Sequence, residues 1–61
     1  MKAYIARDAD GKVYLYKPKP AKGIIQWASE WYFPIDDLPE DVNPQWEDNE
    51  PIKVNIKIEK L

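Results

Sequence analysis

The side chains of this 61-residue chain that could do chemistry or hold a partner fall into three groups. They are the carboxylates of Asp8-Ala9-Asp10-Gly11, a run of acids between Asp36 and Glu50, and the tyrosines Tyr4, Tyr14 and Tyr16 with lysines around them. Asp-x-Asp-Gly begins as a calcium loop does, but such a loop needs further oxygen ligands at alternate positions and a glutamate at its twelfth. Gly11 follows Asp10 directly and those ligands are missing, so the motif reads as turn chemistry. Glu47, Asp48 and Glu50 offer oxygens to a hard cation without a fixed geometry, and no metal site is expected. Catalysis fails on inventory. There is no histidine, cysteine or threonine, and Ser29 is the single serine, so a base-activated nucleophile lacks its parts. A carboxylate pair can hydrolyse glycosides, but it needs a cleft that encloses a sugar, which a chain this short can hardly build. The expectation is a protein that is not an enzyme and carries no cofactor.

Binding is the remaining chemistry. Residues 1–30 hold six cations against three acids, and residues 31–61 hold three cations against eight acids, around a net charge of −2. Asp36, Asp37, Glu40, Asp41, Glu47, Asp48 and Glu50 therefore form a candidate surface for a basic protein partner. Their plain reading is a solvated loop kept soluble by its charge. The runner-up is single-stranded nucleic-acid binding: Tyr4, Tyr14 and Tyr16 could stack bases while Lys12 and Lys17, with Lys2, Lys19 and Lys22 nearby, meet phosphates. The bland counterpart is a tyrosine row packed under the chain's own loops. A net charge this small speaks against imitation of a phosphate backbone.

The elements that must position these groups are short strands. Asp-Gly between the apolar-aromatic runs 3–7 and 12–17 predicts a hairpin with Gly11 in the left-handed region and Asp8 bonding the nearby backbone. Its register pairs Asp8 with Lys12, Arg7 with Val13, Ala6 with Tyr14, Ile5 with Leu15 and Tyr4 with Tyr16. One face then carries Ile5, Val13 and Leu15 and the other the tyrosines and Ala6, with the aliphatic face the expected core. Pro18 and Pro20 make 17–23 an extended crossover. The aromatic run 24–35 predicts a second hairpin around Ser29-Glu30, in competition with a helical turn through Gln26 to Tyr32. The segment 36–51 is irregular, with one short helical turn near 37–41 capped by Asp36 or Asp37. Strict alternation of Ile52, Val54, Ile56 and Ile58 with polar residues predicts a strand at 52–59.

Together these give a single all-β domain over 1–61: a small single antiparallel sheet or partly open barrel of about five short strands. The expected core is Ile5, Val13, Leu15, Trp27, Phe33, Ile35, Leu38, Trp46, Val54, Ile56 and Ile58. Aromatic mass has to stand in for the missing disulfide or metal staple, since a domain this size buries only about 60% of its unfolded surface. No apolar stretch has the length of a signal peptide's core or of a membrane span, so a cytoplasmic monomer or weak homodimer with no membrane partner is expected. Tyr4-Ile5-Ala6-Arg7-Asp8-Ala9-Asp10-Gly11, Tyr14-Leu15-Tyr16 with Lys19-Pro20, and Trp46-Glu47-Asp48-Asn49-Glu50-Pro51 resemble a group of short proteins of gut bacteria and their mobile elements that has no assigned activity. The resemblance implies a compact small-β domain and supplies no site residue. The leading expectation is a non-enzymatic protein-interaction module, an accessory or inhibitor with an unidentified protein partner, contacting it through an unpaired sheet edge or the acidic segment.

Overall fold

The computed structural model describes residues 1–57. Six strands run in chain order: β1 (Lys2–Arg7), β2 (Val13–Lys17), β3 (Ala21–Lys22), β4 (Trp27–Ala28), β5 (Trp31–Pro34) and β6 (Ile52–Asn55). Four form one antiparallel sheet in the order β5-β2-β1-β6, and β3 pairs with β4 in a separate two-stranded sheet. The chain is all-β and antiparallel as expected, but it builds two sheets and closes no barrel.

The first hairpin has the register that its Asp-Gly turn dictates, from Tyr4 opposite Tyr16 to Arg7 opposite Val13. Asp8 N donates to Lys12 O at 2.9 Å and Gly11 N to Asp8 O at 3.0 Å, with Gly11 at a φ of 90° where a side chain would be strained. The carboxylate serving the turn belongs to Asp10, whose Oδ1 accepts from Lys12 N at 2.9 Å. Asp8, expected in that role, faces elsewhere.

The second hairpin differs from expectation. Strands β4 and β5 do not pair across Ser29-Glu30. Instead β4 folds back on β3, with Lys22 opposite Trp27, and β5 pairs along β2, with Leu15 opposite Phe33. A two-residue turn favours left-handed conformers that Ser-Glu does not readily supply. Gly23 suits the tight return: its N–H donates to Gln26 O at 2.8 Å, and a Cβ there would lie 2.7 Å from that same oxygen. No helical turn forms across 26–32.

The helical turn expected near 37–41 is also absent. Val42 N bonds to Pro39 O at 3.0 Å and Asp48 N to Gln45 O at 3.1 Å, so the segment between β5 and β6 spends its donors in two reverse turns. An isolated helical turn fixes about six dihedrals for one hydrogen bond. Anchoring to the sheet wins instead, through Pro44, which is buried and whose carbonyl accepts from Arg7 Nε at 2.8 Å. Strand β6 pairs with β1, Ala3 opposite Val54, and Ile56 N adds one more bond to Met1 O at 2.6 Å. The strand expected at 52–59 is shorter than that: it ends at Asn55, and Ile56 and Lys57 continue outside it. Ile58 and Glu59 lie outside the described residues.

The core is not the aliphatic face alone. On that face Ala3, Ile5 and Val13 are buried, but Leu15, Ile35, Leu38, Val54 and Ile56 are half-buried and Phe33 is 54% exposed. The enclosed cluster is on the other face, where Ala6, Tyr16 and Trp27 are buried with Tyr4, Tyr14 and Trp46 packed around them. The small β3-β4 layer decides this. It carries Trp27 over the tyrosines, and no second layer of that kind covers the aliphatic side among the described residues.

Candidate partner-binding surfaces

Strand alternation first sorts the candidate residues by face. Within β2, Tyr14 and Tyr16 share one side while Val13, Leu15 and Lys17 share the other. Lys17 thus lies across the sheet from the tyrosines, beside Met1, Leu15 and Trp31 in an apolar cleft of about 320 Å³. Lys12 sits at the hairpin turn, whereas Lys2 shares the side of Tyr4 by alternation and Lys22 lies 5.7 Å over the Trp27 ring of the tyrosine cluster. Tyr16 is 2% exposed and Tyr4 and Tyr14 are half-buried, so the row offers bases little free ring surface. Tyr14 instead packs against its neighbours, 6.1 Å from Tyr16 and edge-on to Tyr32 at 5.7 Å.

The hub of this closed face is Asp8, a buried carboxylate. Its Oδ1 accepts from Trp27 N at 2.9 Å and from the Tyr16 hydroxyl at 3.3 Å, which joins the hairpin to the β3-β4 layer. Burial of the phenol, the adjacent Asp8 charge and its hydrogen bond hold the Tyr16 pKa well above the ordinary tyrosine range. The pattern uses an acid as a fixed acceptor for two buried donors.

The seven acids are split. Asp48 is half-buried and serves its own loop, with Oδ2 accepting from Gln45 N at 2.9 Å. Glu50 pairs with Lys19 at 2.8 Å, both side chains exposed. Lys22 reaches Asp48 O at 3.0 Å and lies 4.5 Å over the Trp46 ring. Cations from the first half of the chain therefore hold down the 46–50 end, whereas Asp36, Asp37, Glu40, Asp41 and Glu47 remain exposed. Among the described residues, no group of three or more acids converges to hold a metal ion. Trp46, expected in the core, is half-buried as the lid of the closed face.

Both sheet edges are blunted. Ile35 N donates to Val13 O at 3.1 Å, so by antiparallel alternation Trp31, Phe33 and Ile35 face β2, and Tyr32 and Pro34 turn their backbone outward. Pro34 has no N–H, which leaves Tyr32 as the outward donor of β5. On the opposite edge the Ile56–Met1 bond turns the backbone of Lys53 and Asn55 outward, and lysines on an edge discourage strand addition.

The exposed aromatic strand β5 was not singled out from sequence as a contact surface. Trp31 and Phe33 are 50% and 54% exposed and stack face to face, 6.2 Å apart with 11° between their planes. A signal existed: Trp31-Tyr32-Phe33-Pro34-Ile35 is apolar at every position, so both sides of the strand are apolar where a small domain has one thin second layer to cover them. These surfaces define a small all-β domain with one closed and one open sheet face. The chain matches no protein-family model, no curated protein and no solved structure.

Proposed function

We propose that this chain is a non-enzymatic protein-interaction module, an accessory or inhibitor, that engages a protein partner with the open face of its sheet. The observation that carries this reading is the Trp31–Phe33 stack beside the apolar cleft of Met1, Leu15 and Ile56. Half-exposed aromatics of this size leave on the order of 100 Å² each in contact with water, and such rings are the usual anchors of interfaces. The patch is smaller than the roughly 800 Å² per partner of a standard interface, so the partner also meets the surrounding polar rim. Exposed acids of the 36–41 segment supply that rim, and a partner with basic groups around an apolar pocket fits it. The blunted edges favour side-chain contact over strand addition.

The test is comparative capture. Wild-type protein and the double variant Trp31→Ser/Phe33→Ser, matched for folding by circular dichroism, are used as baits against extracts of the source cells. A protein retained by the wild type and lost from the variant supports the reading. Equal retention by both would overturn it.

A further inference from the structure

At the other end of the same sheet face, the geometry points to a second site: a cleft that takes a carboxylate carried on an apolar body. The cleft has a volume of about 460 Å³, within the range of small-ligand pockets, and lies between the hairpin turn and the start of the acidic segment. Arg7 and Lys12 line it together with Val13, Ile35 and Leu38, and Asp36 stands on its wall.

Arg7 is its distinctive feature. The guanidinium donates from Nε to Pro44 O at 2.8 Å and from Nη1 to Gly11 O at 2.6 Å. Two carbonyls orient the fork without neutralising it, and three of its five N–H donors are left over. Neither Arg7 nor Lys12 makes an ion pair with a carboxylate among the described residues, although Asp36 lines the same cleft. A guanidinium that is not ion-paired, is partly shielded from water and keeps N–H groups to spare can donate them to a carboxylate. A purely structural role for Arg7, fastening the loop to the hairpin, accounts for its two hydrogen bonds. It does not account for the second cation or for apolar walls with room between them. Val13, Ile35 and Leu38 favour an acid with a hydrocarbon body over inorganic phosphate. Asp36 opposes any anion there, which keeps affinity modest and makes its removal informative.

The probe is 3-phenylpropionate, titrated into ¹⁵N-labelled full-length protein and followed by NMR, with 3-phenylpropionamide and inorganic phosphate as controls. Saturable shifts are expected at the amides of Arg7, Gly11, Lys12 and Val13 and at the Arg7 side-chain Nε–H, with none from the amide. Lys12→Ala, a change at an exposed turn position, should weaken binding about two- to fivefold, and Asp36→Asn should tighten it by a similar factor. Arg7→Ala is avoided because it would release the loop. Equal shifts with the amide, or an affinity unmoved by both variants, would overturn the site. An N-acetyl dipeptide ending in Phe separates the sources: tighter binding than phenylpropionate assigns the cleft to the end of a protein chain, weaker binding to a free acid. Tighter phosphate binding than phenylpropionate would refute the assignment. Trp31→Ser/Phe33→Ser leaves these residues in place, so this titration and the capture experiment fail independently.

Discussion

Both faces of the four-stranded sheet carry apolar residues but differ in what lies on them. On one, Ala6 and Tyr16 are covered by Trp27 of the β3-β4 layer with Trp46 packed beside it, and Asp8 accepts from the Trp27 backbone N–H and the Tyr16 hydroxyl between layers. On the other, the aliphatic residues are more numerous, yet Leu15, Val54 and Ile56 are only half-buried and Trp31 and Phe33 stand open. Burial in a small domain thus follows the second layer and not the hydrophobicity of a face. The four-residue loop at 23–26 joins β3 to β4, and the bonds from Trp27 N to Asp8 Oδ1 and from Ala9 N to Ile25 O hold that layer to the first hairpin.

This contrast can be broken most severely at Trp27. Trp27→Ala should cost about 3–5 kcal/mol, enough to unfold a marginal domain, measured by urea or thermal melting. Persistence of a cooperative transition near the wild-type midpoint would show that the closed face is not the core. Next is Asp8. Its replacement by Ala strands the Trp27 N–H, at about 1–3 kcal/mol for a buried donor left unpaired, and leaves the Tyr16 hydroxyl only the longer bond to Trp27 O at 3.5 Å. Asp8→Asn keeps an acceptor oxygen and removes a buried charge, so it should stay within about 1 kcal/mol of wild type. If Ala and Asn prove equally harmful, the charge itself matters and the acceptor role is wrong.

Trp46→Ala should cost about 2 kcal/mol, less than Trp27→Ala because Trp46 is half-buried, including a contribution from the Lys22 ammonium over its ring. A larger loss than at Trp27 would make the acidic loop, and not the β3-β4 layer, the principal cover. The pH dependence is subtler. Folding raises the Tyr16 pKa, so the native state keeps a proton that the unfolded chain begins to lose near pH 10. The Tyr16 contribution is complete below that pH and declines as pH rises further. Tyr16→Phe should remove this part of the alkaline slope in denaturant-derived stabilities between pH 9 and 12, and identical slopes would refute it. At the open face, Trp31→Ser/Phe33→Ser should cost less than Trp27→Ala despite deleting two aromatic rings, because each ring keeps about half its surface in water. A loss like that at Trp27 would mean that the open face holds the fold together.

Much of the architecture was legible in local patterns. Asp10-Gly11 between alternating runs specified the hairpin to the residue, because a left-handed glycine and a three-residue loop admit one register. Alternation from Ile52 onward specified β6, though not that its neighbour would be β1. The misreadings have a common cause. Residues 24–35 contain two strand-like runs, and adjacency suggested that they pair with each other. The actual partners were chosen by a close approach at Gly23 and by the free edge of β2, which local propensity does not register. The helical turn at 37–41 was locally acceptable and lost to the Arg7–Pro44 bond, a contact across 37 residues.

The candidate sites were less legible than the fold. The acids and tyrosines were found by type, but the side of the sheet on which each would lie, and whether a lysine would come down on it, are properties of the assembled layers. Period-two patterning and turn chemistry act over a few residues, and they suffice for an antiparallel β domain, its first hairpin and the start of its last strand, while composition alone shows the lack of histidine, cysteine and threonine. Contacts between residues far apart in the chain settled the rest: which face is closed, where Asp8 points, which acids are engaged, and that Arg7 is held by carbonyls beside an open cleft. Those depend on how layers stack, and a stack is decided by the sum of many weak long-range contacts that no short segment encodes.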